Sequence, residues 1–261
     1  SLDSTAFTDS SAYAIIGDTE KPINANTVAN IKADEKNVEK TCVFELCKMG
    51  IPLGLLTCVT GIGTVIVQSA VNLLGMSYVA SFTAVSRLKQ LSVMPYIAMD
   101  SAIATFTSQN YGAGKIDRVK KGVGFAIACS CIMAELIGIV SFIYAPQLIG
   151  FFNNSPEVVS FGTQHMRVMS LFYCLLAFSH CMAGIMRGAG KATVSMFTML
   201  GCWCLFRVTY ITVAVGFVNE LTTVSWAYPI TWTLSSIVFL VYFLKADWIH
   251  NFDRMEAKGQ V

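Results

Sequence analysis

The stretch GIPLGLLTCVTGIGTVIVQSAVNLLG, residues Gly50 to Gly75, decides the fold class because it contains no Asp, Glu, Lys or Arg. It is longer than the roughly twenty apolar residues that a helix needs to cross a bilayer. It forms most of the first of six apolar segments, which are 44–74, 79–111, 119–144, 158–186, 192–218 and 222–244. Short connections rich in Gly, Pro and Asn separate them. The sequence therefore predicts an all-α, polytopic membrane protein, a bundle of six transmembrane helices.

The composition also favours a membrane protein over a soluble one. Hydrophobic residues make up 54% of the 261 residues and charged residues 13%, against about 25% charged residues in soluble domains. The net charge of +2 gives no basic surface for nucleic acid. Most of the nine cysteines lie inside apolar segments, and their number is odd. We interpret them as packing residues and predict neither disulfides nor a metal site.

The positions of Lys and Arg predict the orientation in the membrane, because cytoplasmic flanks collect positive charge. Fourteen of the eighteen flank the segments on one side, and the three connections on the other side carry none. Both termini are therefore predicted to be cytoplasmic, in a multi-pass protein of the plasma membrane. The predicted organisation is a polar, disordered tail (1–43), a six-helix lobe (44–245) and a C-terminal tail (246–261).

Three stripes of polar and aromatic residues follow helical spacing inside the apolar segments. The first contains Thr57, Gly61, Thr64, Gln68 and Asn72. The second contains Lys89, Tyr96, Asp100, Thr107 and Tyr111, beside a possible kink at Pro95. The third contains His165, Met169, Tyr173, His180 and Gly184. Ionisable groups are costly in lipid, so these stripes should face protein or a wet cavity.

Each polar residue also has a purely structural interpretation. Hydroxyl and amide groups can bond neighbouring helices, Lys89 can reach the membrane surface, and Arg207 can pair with Asp100 or Glu135. The three stripes together favour a shared aqueous cleft for substrate and ion. The predicted cleft residues are Thr57, Thr64, Gln68, Asn72, Lys89, Tyr96, Asp100, Tyr173, His180 and Arg207.

Two copies of Gly-Ala-Gly-Lys, Gly112 to Lys115 and Gly188 to Lys191, are better explained as helix ends than as phosphate-binding loops. A P-loop needs Ser or Thr after the Lys, but Ile116 and Ala192 stand there. Glycines that end a helix, followed by a basic residue, account for both copies. The sequence contains no catalytic signature that we can identify, and we predict no enzymatic activity and no cofactor.

Three stretches together resemble the C-terminal half of multidrug and toxin extrusion (MATE) transporters. The first is the quoted segment, with its Gly-Ile-Pro start and its Gln-Ser-Ala-Val-Asn end. The second is SQNYGAGKIDRVKKG (108–122) and the third AGIMRGAGKATVSMF (183–197). The residues that match the family motifs in the second and third stretches are Gln109, Asn110, Gly112, Gly114, Arg118, Arg187, Gly188 and Gly190.

The resemblance implies one lobe of a two-lobed exporter that alternates between inward- and outward-facing states. Such a protein exchanges H⁺ or Na⁺ for lipophilic, often cationic drugs or toxins, and this chain would need a second lobe or its own copy. Many members carry a Glu early in the first helix and an Asp upstream of the third motif. Here 55–58 and 176–178 are uncharged, which leaves Asp100 as the candidate coupling acid.

Two alternatives remain open from the sequence. One is a non-transporting membrane fragment or accessory subunit. The other is a lipid-linked saccharide flippase of the same superfamily, which would need a more cationic cleft, as Arg87, Lys89 and Arg207 could provide.

Overall fold

The computed structural model describes residues 25–73, 75–217 and 221–245, and these residues contain helices and no strand. The chain divides into two units, Ser1–Cys47 and Lys48–Val261. The helices are α1 (Ala25–Asn72), α2 (Met76–Gly112), α3 (Ile116–Ile143), α4 (Ala145–Gly150), α5 (Pro156–Ser170), α6 (Tyr173–Gly188), α7 (Ala192–Met199), α8 (Arg207–Phe217) and α9 (Leu221–Lys245). A π-helical turn, Leu200–Phe206, joins α7 to α8.

The first helix begins earlier than the apolar pattern indicates. Backbone helix starts at Ala25, inside the segment 1–43 predicted as a disordered tail. Residues 25–43 include Ala, Lys and Glu, which favour helix even without an apolar face. The rest of that tail (1–24) and the C-terminal tail (246–261) lie outside the described residues.

Four described helical segments are long and apolar enough to cross a membrane: Leu53–Asn72, Ile116–Ile143, Ala192–Ala214 and Thr223–Lys245. The α5–α6 pair makes a fifth if it is counted as one bent span. Of the six predicted spans, α2 is missing from this set. Although α2 has 37 residues, it carries Arg87, Lys89, Asp100 and many hydroxyl and amide groups, which lower its mean hydropathy.

The bend of 52° between α5 and α6 is a feature that the apolar pattern did not reveal. The sequence reads as one segment from 158 to 186, but the helix breaks between Ser170 and Tyr173. Gly138 of α3 lies against this break, and a Cβ there would be 2.6 Å from the carbonyl oxygen of Ser170. The missing side chain of Gly138 therefore lets α3 lie directly against the bent backbone.

Two buried clusters hold the described helices of the larger unit together. One surrounds Tyr96, Tyr173 and Trp232, and the other surrounds Met182 and Phe239. The outer surface of α3 is apolar as well, because its Phe125, Ile132, Leu136 and Ile143 are exposed. Exposed apolar stripes of this kind suit a lipid environment. The predicted fold class, an all-α membrane bundle, is confirmed.

Both Gly-Ala-Gly-Lys copies end a helix with the same backbone pattern. Gly114 and Gly190 have positive φ angles of 69° and 75°. The amide of Lys115 donates to the carbonyl of Asn110 (2.9 Å), and the amide of Lys191 donates to that of Met186 (2.8 Å). These are the long hydrogen bonds of a Schellman motif, which requires the left-handed conformation that glycine adopts freely. Their helix-ending role is confirmed.

Candidate functional site

An open cavity of about 490 Å³ lies between α1, α2, the π-helical turn, α8 and α9. Its polar lining includes Thr60, Thr64, Gln68, Ser86, Lys89, Gln90, Arg207 and Tyr228. The stripe on α1 reaches this cavity because Gly63 lets α1 approach the turn; a Cβ at Gly63 would lie 3.2 Å from Cys204 Sγ. Wider π-helical turns are frequent at functional sites, and this one presents Trp203 to the cavity.

Two positive charges converge on Tyr228 in this cavity. Lys89 Nζ lies 4.4 Å from the centroid of the Tyr228 ring, and Arg207 Cζ lies 4.5 Å from the same centroid. Both distances are within the range of attractive cation–π contacts. Arg207 also donates from Nη2 to Thr231 Oγ1 (2.7 Å), which fixes the orientation of its guanidinium group. Its Nε is buried and has no hydrogen-bond partner.

His165 forms part of the wall behind Tyr228 rather than the lining of the cavity. It is 1% exposed, and its Nδ1 is hydrogen-bonded to the Ser225 hydroxyl. Its ring packs against Tyr228 at 6.0 Å and against Phe82 at 5.6 Å between centroids. His165 therefore positions the aromatic ring on which the two cations meet.

A second polar cluster surrounds Asp100 at the interface of α2 and α6. Arg187 Nη2 donates to Asp100 Oδ1, and Arg187 Nη1 donates to Ser195 Oγ (3.3 Å). His180 Nδ1 lies 3.9 Å from Asp100 Oδ2. Asp100 is 7% exposed, so its carboxylate is held by protein groups and faces neither lipid nor the open cavity.

The glycines of α6 create the room for this cluster. A Cβ on Gly184 would overlap the backbone oxygen and carboxylate of Asp100, and one on Gly188 would overlap the carbonyl oxygen of Ala104. Gly184 and Gly188 are four residues apart and therefore share a helix face. A small-xxx-small pair of this type lets two membrane helices approach closely. The close approach brings the Arg187 guanidinium to the carboxylate of α2.

The predicted cleft residues are divided among several places. Thr64, Gln68, Lys89 and Arg207 line the cavity, whereas Asp100 and His180 belong to the buried cluster. Tyr96 and Tyr173 are buried against each other, with ring centroids 6.4 Å apart. Thr57 is exposed and donates to the carbonyl of Leu53 (3.0 Å), and exposed Asn72 accepts from Gln68 Nε2 (3.2 Å).

The family-motif residues lie mainly at helix ends. Gly112 and Gly188 are the last residues of α2 and α6, and Gly114 and Gly190 form the turns that follow. Asn110 donates to the carbonyl of Phe106 (2.8 Å), whereas Gln109 and Arg118 are exposed. Arg187 differs from the rest because its side chain reaches into the bundle.

Sequence reasoning missed three residues of these sites. Arg187 was assigned only to a turn motif, although it follows His180 by seven residues and so shares its helix face. Trp203 carried a similar signal, since it precedes Arg207 by one helical turn. No sequence signal pointed to Tyr228, because its segment contains no charged residue before Lys245 and gave no polar stripe.

The described residues contain no group of three or more His, Cys, Asp or Glu side chains that could hold a metal ion. Cysteines whose side chains are described are all free.

Comparison with known proteins identifies relatives of the larger unit. The MatE family model matches residues 52–213. A probable multidrug resistance protein of Bacillus subtilis, YpnP, is 31% identical over 161 residues, which cover 61% of this chain and 36% of that protein. The chain thus spans about a third of the length of this relative.

Two solved structures share the fold. An outward-facing conformation of a multidrug resistance MATE family transporter matches with a TM-score of 0.72 and 20% identity, over 80% of this chain and 47% of that one. An inward-facing conformation matches with a TM-score of 0.70 and 20% identity, over 80% and 48%. The chain therefore corresponds to about half of each solved chain.

Proposed function

Since this chain belongs to the MatE family, whose members are transporters rather than enzymes, we propose that it forms one lobe of a secondary active exporter. The exporter would extrude lipophilic or cationic drugs or toxins in exchange for H⁺ or Na⁺. The observation that carries the proposal is the open cavity lined by α1 and α2, in which the side chains of Lys89 and Arg207 lie inside the helical bundle. Charges in such positions are usually part of a substrate or ion pathway.

The proposal includes a second lobe, either a separate chain or another copy of this one. The bundle matches about half of the outward-facing and of the inward-facing transporter with similar TM-scores. This similarity is expected if each lobe moves largely as a rigid body and access alternates by rocking around the substrate site. One lobe alone has no surface against which to close.

Asp100 is the proposed coupling residue. Its carboxylate is shared between Arg187 and the nearby His180, at the interface of two packed helices. A cation that competes with Arg187 for this carboxylate would change the contact between α2 and α6. The cavity is lined by the same helix, α2, so such a change would reach it.

Efflux measurements test the export function. The chain is expressed alone and together with the N-terminal half of the Bacillus subtilis relative, and ethidium efflux is followed in cells. We expect efflux from the pair, and from the chain alone only where two copies associate. Efflux from the chain as a monomer would contradict the need for a second lobe, and no efflux from any well-inserted pair would contradict transport itself.

The proposed location is the plasma membrane, with both termini in the cytoplasm. Single cysteines at Asn153 and at Lys120, in a background in which all nine native cysteines are replaced by Ala or Ser, test the orientation. A membrane-impermeant maleimide should label position 153 from outside and position 120 only after permeabilisation. Labelling of both from the same side would overturn this topology.

A further inference from the structure

The cavity that contains Lys89 and Arg207 has a positive charge that no carboxylate among its described lining residues balances. No Asp or Glu lies among its lining residues in the described part of the chain. Asp100, the acid on the same helix, is already paired with Arg187. Asp117 and Glu135 lie on α3, which does not line the cavity, and Glu157 accepts a hydrogen bond from Ser77 (2.8 Å).

The two cations are also close to each other. Both lie within 4.5 Å of one ring centroid, so their separation cannot exceed twice that distance. Like charges this close repel each other, and the repulsion is stronger in a partly buried site than in water. An anion that contacts both groups would relieve the repulsion and gain two charge-assisted contacts.

The side chains are arranged for such a contact. Lys89 points to Tyr228, inside the bundle, instead of reaching along α2 to the membrane surface. Arg207 is held by Thr231 and has a buried Nε without a partner. A guanidinium fixed in this way suits the planar, two-point recognition of a carboxylate, phosphate or sulfonate.

The rest of the cavity is suited to an apolar body. Phe82, Val93, Ile97 and Trp203 line it beside the charged end. A volume of about 490 Å³ is within the usual range for small-molecule sites. We propose that this cavity binds amphiphilic anions, with the negative head beside Lys89 and Arg207 and the apolar body against α2 and Trp203. The inference rests on the proposed export function and adds amphiphilic anions to the compounds that this lobe would take.

Arg87 provides a matched control. It lies on α2 two residues before Lys89, but it lines a separate cavity of about 760 Å³ with Phe152 and Asn153. A general attraction of anions to the positive charge of α2 would depend on Arg87 and Lys89 alike. A specific site in the Lys89 cavity would depend on Lys89 and not on Arg87.

Two probes with the same aromatic body and opposite charge test the proposal. 1-Pyrenesulfonate and 1-pyrenemethylammonium are titrated against the full chain in nanodiscs of phosphatidylcholine, and their Kd values are measured by equilibrium dialysis. Empty nanodiscs correct for partition into lipid. We expect the sulfonate to bind at least about tenfold more tightly, as contacts with charged groups allow. Equal affinity, or tighter binding of the ammonium probe, would overturn the proposal.

Variants locate the site. Lys89→Met and Arg207→Met should each abolish the preference, whereas Lys89→Arg and Arg87→Met should retain it. A loss with Arg87→Met as large as that with Lys89→Met would also overturn the proposal. If a methionine variant does not fold, the comparison of the two probes on the unmodified chain still tests whether the protein prefers the anion.

The anionic head could belong to a lipid or to a free solute, and a second set of nanodiscs separates the two. When phosphatidylglycerol is added, a lipid ligand would occupy the cavity and remove the difference between the unmodified chain and Lys89→Met. A persistent difference would identify a free anion. Either result supports the site. Absence of charge preference overturns only this inference, whereas failure of efflux in the assembled protein overturns only the export function.

Discussion

The Asp100 cluster and the Lys89 cavity place opposite charges on the same helix in contrasting surroundings. Asp100 is buried and has Arg187 as its ion-pair partner and His180 nearby. Lys89 faces an open cavity and meets Tyr228 and a second cation instead of an acid. The comparison indicates that the first site contributes to cohesion of the bundle, whereas the second is left available for a ligand.

The largest effect is expected when the buried pair is broken. Arg187→Met leaves the Asp100 carboxylate buried without its partner, which should lower the free energy of unfolding by about 3–5 kcal/mol. Unfolding in mixed detergent micelles with increasing dodecyl sulfate measures this change. The double variant Asp100→Leu with Arg187→Met should recover most of the loss, because no unpaired charge remains.

Arg167→Met is the matched control for that experiment. Arg167 is exposed, lies over the Phe142 ring and donates to the Phe142 carbonyl at 3.4 Å. Its replacement should cost no more than about 1 kcal/mol. If Arg167→Met lowered the free energy of unfolding as much as Arg187→Met, the loss would not be specific to the Asp100 cluster.

The next largest loss of stability is expected from a substitution that tests the close approach of α2 and α6. Gly184→Ala places a methyl group against the Asp100 backbone and should destabilise the bundle by about 1–3 kcal/mol, measured by the same unfolding assay. Gly124→Ala is the control, because no atom lies within 4 Å of a Cβ at Gly124 on α3. That change should be neutral or slightly stabilising, since alanine favours helix. Equal losses for both variants would contradict the proposed packing.

Transport should depend on the same acid. In the assembled two-lobe protein, Asp100→Asn should reduce ion-coupled efflux about tenfold, because the amide cannot replace the charge that meets Arg187. Glu135→Gln on α3 should have a smaller effect. Ethidium efflux at matched expression measures both. Unchanged efflux with Asp100→Asn would rule out Asp100 as the coupling residue.

The smallest expected change is an increase in stability, on replacement of Lys89. Lys89→Met removes one of two close positive charges, neither paired with a carboxylate among the described residues, so stability should rise by up to about 1 kcal/mol. Arg87→Met, at an exposed position, should leave the unfolding midpoint unchanged. A marked loss of stability with Lys89→Met would mean that Lys89, like Arg187, stabilises the bundle. The Lys89 cavity would then not differ from the Asp100 cluster in this respect.

Much of the helix arrangement was predictable, because hydropathy and glycine act locally. The segments predicted at 79–111, 119–144 and 222–244 differ from α2, α3 and α9 by only a few residues at each end. The family was recognisable from the motifs at Gly50 to Gly75 and around the two Gly-Ala-Gly-Lys turns, and the MatE match confirms it. The break between α5 and α6 was not predictable, because it depends on packing against Gly138.

The sequence by itself determined which residues share a helix face, but only the tertiary structure decided which neighbours they meet. Lys89 and Asp100 fall on one side of α2, yet their spacing separates them by about 16 Å along the helix axis. At one depth the neighbours are α1 and the π-helical turn, and at the other they are α6 and Arg187. A helical projection shows the angle of a residue around the axis but not its position along the axis. The partner of each charge depends on which helices, distant in sequence, pack at that position. For that reason, the sequence placed both charges in one cleft and the fold separated them.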